Sequence, residues 1–370
     1  MKNSILNRLR KKMNKRLFIW IGLLLTILAC TLGKSASTPN SNLLATLAAS
    51  TPLSVNPVAT TDPAQSPTSA FNPLTPTPAA LAVSTISVPT SSSTIQPTGH
   101  IVFTCQIYKA QASNQICIIK ADGTGFRRLT TDSNTQHYYP SLSPDGNSVV
   151  YAAFGGANIY DIYEMNLVSG IVTQLTNNIG ILNAPEISPD GKYIIFKHST
   201  GNSEKNAIWI MDRNGENVGN IPRAFGWDPT WSPDGNYILF ASDMDGAIQL
   251  YSIRVNGKEL HKVSTLPAIR GRSDWSSDGK FIVTYSGAAW NREVYIMNSD
   301  GSGARVLSPA GGNSQGASFS PDSQWVTFTS YFDHPNEDNG CEIYIMRIDG
   351  TDLRRLTSND YCDYQPRWGP

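Results

Sequence analysis

Charge is scarce and balanced in this 370-residue chain: 16% of residues are charged, and 29 Lys plus Arg face 29 Asp plus Glu. With neither sign in excess, a strongly basic nucleic-acid binder and an acidic disordered chain are both excluded. Long apolar runs are missing too. The main one, LFIWIGLLLTILA at 17–29, has 13 residues, short of the roughly 20 that span a bilayer. Histidine is sparse. None of His100, His137, His198, His261 and His334 stands four residues from another, and none lies in a metal-spacing motif.

What charge there is lies unevenly. Lys2, Arg8, Arg10, Lys11, Lys12, Lys15 and Arg16 precede the apolar run, with no acid among them. A basic flank, a short apolar core and a small residue before a break read as an export signal. The break, Ile27-Leu28-Ala29-Cys30, resembles a bacterial lipobox. That resemblance implies that Cys30 becomes a lipid-bearing N-terminus at the membrane. Removal of the seven basic residues would leave 29 − 7 = 22 Lys plus Arg against 29 acids, so the mature chain is acidic by 7. Residues 31–98 hold 10 Pro and 25 Ser or Thr, with only Lys34 and Asp62 charged. Such a composition buries too little surface to offset chain entropy. The expected organisation is a signal over 1–29, a disordered tether over 30–98 and a folded domain over 99–370.

The domain is an internal repeat. Its landmark is a turn: Ser143-Pro-Asp-Gly146, Ser188-Pro-Asp-Gly191, Ser232-Pro-Asp-Gly235, Ser276-Ser-Asp-Gly279 and Ser320-Pro-Asp-Ser323, the serines 45, 44, 44 and 44 residues apart. Pro presets one dihedral of the turn and Gly tolerates a positive φ. An alternating strand follows each turn, as in Tyr237-Ile-Leu-Phe240. A third strand is more regular: Ala207-Ile-Trp-Ile-Met211, Glu293-Val-Tyr-Ile-Met297, Glu342-Ile-Tyr-Ile-Met346. A sixth copy is cut short at Arg367-Trp-Gly-Pro370, leaving one strand. The start of the domain supplies the three it lacks, at Ile101, Ile116 and Arg127. Four-stranded units repeated radially make a β-propeller. The expectation is therefore an all-β, six-bladed propeller whose ring closes by pairing the C-terminal strand with three N-terminal strands.

These turns and third strands resemble the TolB-type six-bladed propeller family, whose repeats carry the same SPDG and IYxM(N/D)xDG wording. The resemblance covers 99–370. It implies an envelope protein built on a propeller. The N-terminal α/β domain of the family is here replaced by the Ser/Thr/Pro tether.

Several motifs are set aside. Gly312-Asn-Ser314-Gln-Gly316 fits G-x-S-x-G, but a nucleophile elbow needs a helix after the turn, and an inner strand follows instead. The acidic loops at Asp243-Met-Asp245 and Asp333 to Asn339 are weak calcium candidates, since neither has EF-hand spacing. No cofactor is expected. Asp145, Asp190, Asp234, Asp278 and Asp322 recur in every turn and are assigned to the turn itself. Binding is sought in residues that do not repeat. The loops leading into the inner strands carry His137, Tyr138, Trp227, Asp228, Arg270, Arg272, Gln315 and Tyr364. Tyr, Trp and Arg are enriched in binding hot spots, and these positions should ring one mouth of the channel. Cys105, Cys117, Cys341 and Cys362 make an even count in an exported chain, which suggests disulfides. Topology favours Cys105–Cys117 and Cys341–Cys362. The expected function is a non-enzymatic, monomeric, lipid-anchored binding module for a protein or an envelope polymer. The alternative is a polysaccharide lyase or hydrolase that uses the channel.

Overall fold

The structure, a computed structural model, describes residues 96–370 apart from 108–112, 133, 157–158, 202–205, 270 and 334–339. The expected signal, Cys30 and the tether up to residue 95 lie outside the described residues, as do Arg270 and most of the second acidic loop.

Every regular element among the described residues is a strand. Three open the fold: β1 (His100–Gln106), β2 (Asn114–Lys120) and β3 (Arg127–Arg128). Next come β4 (His137–Leu142), β5 (Ser148–Gly156), β6 (Ile159–Asn166) and β7 (Val172–Gln174). The second repeat is β8 (Ile181–Ile187), β9 (Tyr193–Ser199), β10 (Ala207–Asp212) and β11 (Gly219–Phe225). The third is β12 (Trp227–Trp231), β13 (Tyr237–Ser242), β14 (Gln249–Arg254) and β15 (His261–Lys262). The fourth is β16 (Asp274–Trp275), β17 (Phe281–Ala288), β18 (Asn291–Asn298) and β19 (Arg305–Val306). The fifth is β20 (Gln315–Phe319), β21 (Trp325–Ser330), β22 (Glu342–Arg347) and β23 (Arg354–Arg355), before the last strand β24 (Asp363–Gly369).

Repeats three, four and five are separate four-stranded sheets in chain order, and β24 pairs with β1 to complete a fourth sheet, β24-β1-β2-β3. The closing register is antiparallel, with Ile101 opposite Trp368 and Cys105 opposite Asp363. The first two repeats are not separate. They share one eight-stranded sheet, because a parallel pair, Tyr160 with Ile181, joins β6 to β8. Gly180, just before β8, has a φ of 148° and sits against β9, where a Cβ would stand 2.7 Å from the Ser199 carbonyl. Its own carbonyl accepts the Tyr160 N–H at 3.2 Å. The innermost strands β4, β8, β12, β16, β20 and β24 touch in that cyclic order, β24 returning to β4.

Apolar clusters fill the space between neighbouring sheets, not the channel. Ile208 and Ile210 of β10 meet Trp231, Phe240 and Tyr251 of the next sheet. Ile101, Phe103 and Trp368 of the closing sheet meet Trp325, Ile343 and Ile345 of the fifth repeat. Burying each such side chain contributes about 1.5–3 kcal/mol. Each sheet therefore depends on a neighbour for its core.

Polar bonds repeat as faithfully as the apolar ones. In each turn the serine hydroxyl donates to the aspartate two residues on, at 2.5–2.7 Å, and accepts the N–H five residues on at 2.9 Å. The aspartate also accepts a backbone N–H, that of Asn147, Lys192, Asn236, Lys280 or Gln324. The Ser143 hydroxyl, foremost, and the Asn147 amide hold Asp145 down to a pKa of about 2. Disulfides join Cys105 to Cys117 within the closing sheet, and Cys341 to Cys362 between the fifth repeat and the segment entering β24, with Cα separations of 5.9 and 4.4 Å.

Ser232→Ala removes one donor and one acceptor from a turn and should cost about 1–2 kcal/mol. Chemical denaturation followed by tryptophan fluorescence checks this. An unchanged midpoint would show that the turn hydroxyl carries no stability.

Candidate functional site

Five of the six inner strands share one irregularity. Register shifts fall between Tyr138 and Ser141, Asn183 and Glu186, Trp227 and Thr230, and Gln315 and Ser318, and β24 shifts at the matching place against β1. At each bulge one residue has a positive φ: Tyr139 (55°), Ala184 (51°), Asp228 (51°), Gly316 (64°) and Gln365 (57°). Proline follows four of them. A bulge re-aims the side chains next to it, so the inner strands present polar residues to one another across the ring where regular alternation would not.

Two residues before the turn serine, or its equivalent at the end of β24, lie Ser141, Glu186, Thr230, Asp274, Ser318 and Arg367, one from each inner strand. Arg367 ties the set together. Its Nη2 is 2.9 Å from Glu186 Oε2 and its Nη1 is 3.2 Å from Asp274 Oδ1. Glu186 also accepts from the Thr230 hydroxyl (2.9 Å) and the Trp231 N–H (3.0 Å). Asp274 accepts from the Ser318 hydroxyl (2.6 Å) and the Phe319 N–H (2.9 Å). Burial opposes charge on Arg367, but the two carboxylates beside it raise its pKa on balance. Burial raises the pKa of Glu186 against the pull of Arg367, and the like charge of Asp274 adds to the rise.

Nearer the loops that enter the inner strands, the walls are tyrosines. The Tyr364 hydroxyl donates to Asn114 Oδ1 (2.8 Å), and the Asn114 amide donates to the Tyr138 hydroxyl (3.0 Å). One asparagine on β2 thus links β24 with β4. Burial, then the neighbouring Tyr138, Tyr139, Tyr331 and Tyr160, push the Tyr364 phenol far above its usual range. Tyr139 is raised as well, by burial and then by Asp228.

The expected mouth residues are brought together only in part. Tyr138, Asp228, Arg272 and Tyr364 lie around this group. Trp227 is half-buried against Leu239, Leu250 and Ile269 and packs more than it presents. Gln315 is engaged by Arg292, whose Nη1 donates to its Oε1 at 2.6 Å. His137 departs from the expectation of a mouth residue. It is 7% exposed, its ring meets Tyr151 edge-on at 5.5 Å, and burial lowers its pKa. The alternation of β4 turns its ring into the space between sheets. Asp245 accepts the Tyr251 hydroxyl at 2.7 Å and lies 3.9 Å from Lys262, while the Asp243 carbonyl accepts the Gly246 N–H. Among the described residues no group of three or more His, Cys, Asp or Glu is arranged to hold a metal. Ser314 is fully buried, donates to Ser330 at 3.1 Å and leads into β20, with no helix behind it. A cleft of about 940 Å³ lies at the turn side, where Arg213 bonds Glu164 at 2.7 Å across two repeats; its acid is taken by a structural pair.

Glu186, Asp274, Arg367 and Asn114 were not anticipated. A signal for three of them was present: aligned on the SPDG serine, the position two before it is polar in every copy and takes five identities over six copies.

One buried acid sits at the ring closure. Asp363 is 1% exposed, and burial, then the nearby Glu342 carboxylate, raise its pKa to about 7 from an ordinary 3.8. Asn359 donates to it at 2.9 Å, and Arg355 holds Glu342 at 2.9 Å.

Two predictions follow from these charges. Arg367→Met leaves two buried carboxylates facing each other and should destabilise by about 3–5 kcal/mol. Most of the loss should return in the double variant with Glu186→Gln, read by calorimetry; no return would show that the arginine acts by packing alone. For Asp363 the folded pKa lies above the unfolded one. The stability linked to its proton is full below about 3.8 and is lost as pH rises through about 7. Wild-type Tm should therefore fall between pH 5.5 and 8, with a shallower fall in Asp363→Asn, and equal slopes would contradict the assignment.

The family model described as the TolB beta propeller domain matches residues 96–370. The Tol-Pal system protein TolB of Francisella tularensis is 27% identical over 238 residues, which is 62% of this chain and 54% of that protein. An uncharacterized protein of Agrobacterium fabrum is 33% identical over 171 residues, 42% of this chain and 56% of its own. The chain thus spans little more than half the length of these curated relatives. Among solved structures, TolB from Acinetobacter baumannii matches with a TM-score of 0.63 at 25% identity, over 74% of this chain and 67% of that one. A putative TolB from Agrobacterium tumefaciens matches with a TM-score of 0.56 over 74% of this chain and 99% of its own; at 19% identity it speaks to the fold alone.

Proposed function

Because this chain belongs to the TolB β-propeller family, we propose that it is a non-enzymatic binding module whose channel mouth engages a protein partner outside the cytoplasm. The observation that carries this reading is the mouth itself. Positions whose residue varies among the copies, those of Tyr138, Tyr139, Asp228, Arg272 and Tyr364, gather there. Aromatic and arginine anchors of this kind dominate protein interfaces. The polysaccharide-active alternative has no observation in its favour among the described residues.

The surrounding features support the same reading. We count the eight-stranded sheet as two blades joined by one parallel pair, which makes the propeller six-bladed. Two disulfides suit an oxidising compartment. Cys30 would carry a lipid, residues 30–98 would act as a tether, and the domain over 99–370 would stand off the membrane as a monomer without cofactor. The Francisella relative is named as a Tol-Pal system protein. For this chain the proposal is the kind of partner, a protein of the cell envelope, and not that assembly.

The test is capture. The full chain with a photo-crosslinker at Tyr138 should bond a specific protein in membrane extracts. Tyr138→Ala with Tyr364→Ala should weaken that partner by about tenfold or more, as the loss of hot-spot anchors does. Binding unchanged by the double variant, or crosslinks to glycan alone, would overturn the reading.

A further inference from the structure

Arg367 is held by two carboxylates, whereas Arg272 is held by none among the described residues. It lies just before β16, is 5% exposed, and donates from Nη2 to the Pro140 carbonyl at 3.1 Å. Its guanidinium stands 5.5 Å from the centre of the Tyr139 ring. In the cycle of inner strands β4 and β16 are three places apart, so this side chain reaches across the channel. Its Nε and Nη1 have no hydrogen-bond partner among the described residues.

The acids nearby are committed elsewhere. Asp228 Oδ2 accepts the backbone N–H of Arg272 at 3.0 Å. Glu186 and Asp274 hold Arg367. Burial, then the like charge of Arg367, lower the pKa of Arg272 to about 10, so it remains a cation at neutral pH. A buried cation with unanswered donors is costly. The aligned residue of the next inner strand is Gly316, which contributes no side chain.

We propose that the channel holds a carboxylate site centred on the Arg272 guanidinium, reached past Tyr138 and Tyr364, and that the carboxylate is an acidic side chain of the partner. The identity of its bearer rests on the mouth being a protein-binding surface. A single negative charge fits better than a phosphate dianion, because Asp228, Glu186 and Asp274 would repel the second charge. A carboxylate supplies two acceptors and no donor, which suits unanswered guanidinium N–H groups.

The probe is a pair of peptides, acetyl-Gly-Glu-Gly-amide and its Gln counterpart, titrated into the full chain at constant ionic strength. The readout is the ¹⁵N-labelled Nε–H signal of Arg272, assigned by its loss in Arg272→Lys. The Glu peptide should shift the signal saturably and bind about tenfold tighter than the Gln peptide, as expected for hydrogen bonds to a charged group. Equal effects of the two peptides, or no shift from either, overturn the site. A Glu preference that survives in Arg272→Lys overturns it too, since the anion then binds elsewhere. If that variant does not fold, the signal is assigned from its proximity to the Tyr139 ring. A Glu preference without any captured protein keeps the site and ends the protein-partner reading. Capture of a protein by a chain with no peptide preference does the reverse.

Discussion

A ring of sheets has no stable open form, and here the pairing of β24 with β1 is the contact on which the others rest. Each apolar cluster spans two neighbouring sheets, so each blade borrows its core from the next. An open ring would leave the faces around Trp325 and Val149 without a partner on one side. The chain reinforces the closure in three ways. The register of β24 with β1 supplies backbone bonds. The Cys341–Cys362 disulfide anchors the segment that enters β24. Arg367, carried on β24 itself, holds acids from β8 and β16. The last strand thus locks both the perimeter and the axis.

The repeat divides the labour of its residues. What recurs is structural: the serine and aspartate of the turns, and the Ser or Thr hydroxyl that accepts a third-strand N–H in five sheets or repeats. What changes from copy to copy faces the axis. One layer is spent on the Glu186–Arg367–Asp274 clamp, in which each carboxylate faces the guanidinium and accepts a hydroxyl and a backbone N–H. The layer nearer the mouth is only partly answered, at Arg272, and it sits where tyrosines leave an approach. Satisfied polar networks fix a structure, whereas an unsatisfied buried group marks a place where something else completes it.

Much of the fold was legible because its signals are local. Pro-Asp-Gly after a serine, spaced by 44 or 45 residues, fixes the turns, and alternation fixes the strands between them. The closure was legible from the match between a one-stranded end and a three-stranded beginning. Less visible was the merging of two repeats through Tyr160 and Ile181, a single parallel contact that no local pattern announces. At the site, Tyr138, Asp228, Arg272 and Tyr364 could be named from non-repetition alone. His137 could not be separated from them, because a bulge decides which way a side chain points and no residue type announces it. The clamp was missed for a related reason: Glu186, Asp274 and Arg367 lie 88 and 93 residues apart in the chain, and only the closed ring makes them neighbours.

The closure can be tested directly by native-state hydrogen exchange. If pairing of β24 with β1 is what the propeller depends on, the amides of the paired residues Val102 and Arg367 should exchange only through global unfolding. Their free energy of opening would then equal that of Leu239 and Ile253 in the third repeat. Exchange of Val102 and Arg367 through a local opening several kcal/mol below the global value, with the third repeat still protected, would contradict it.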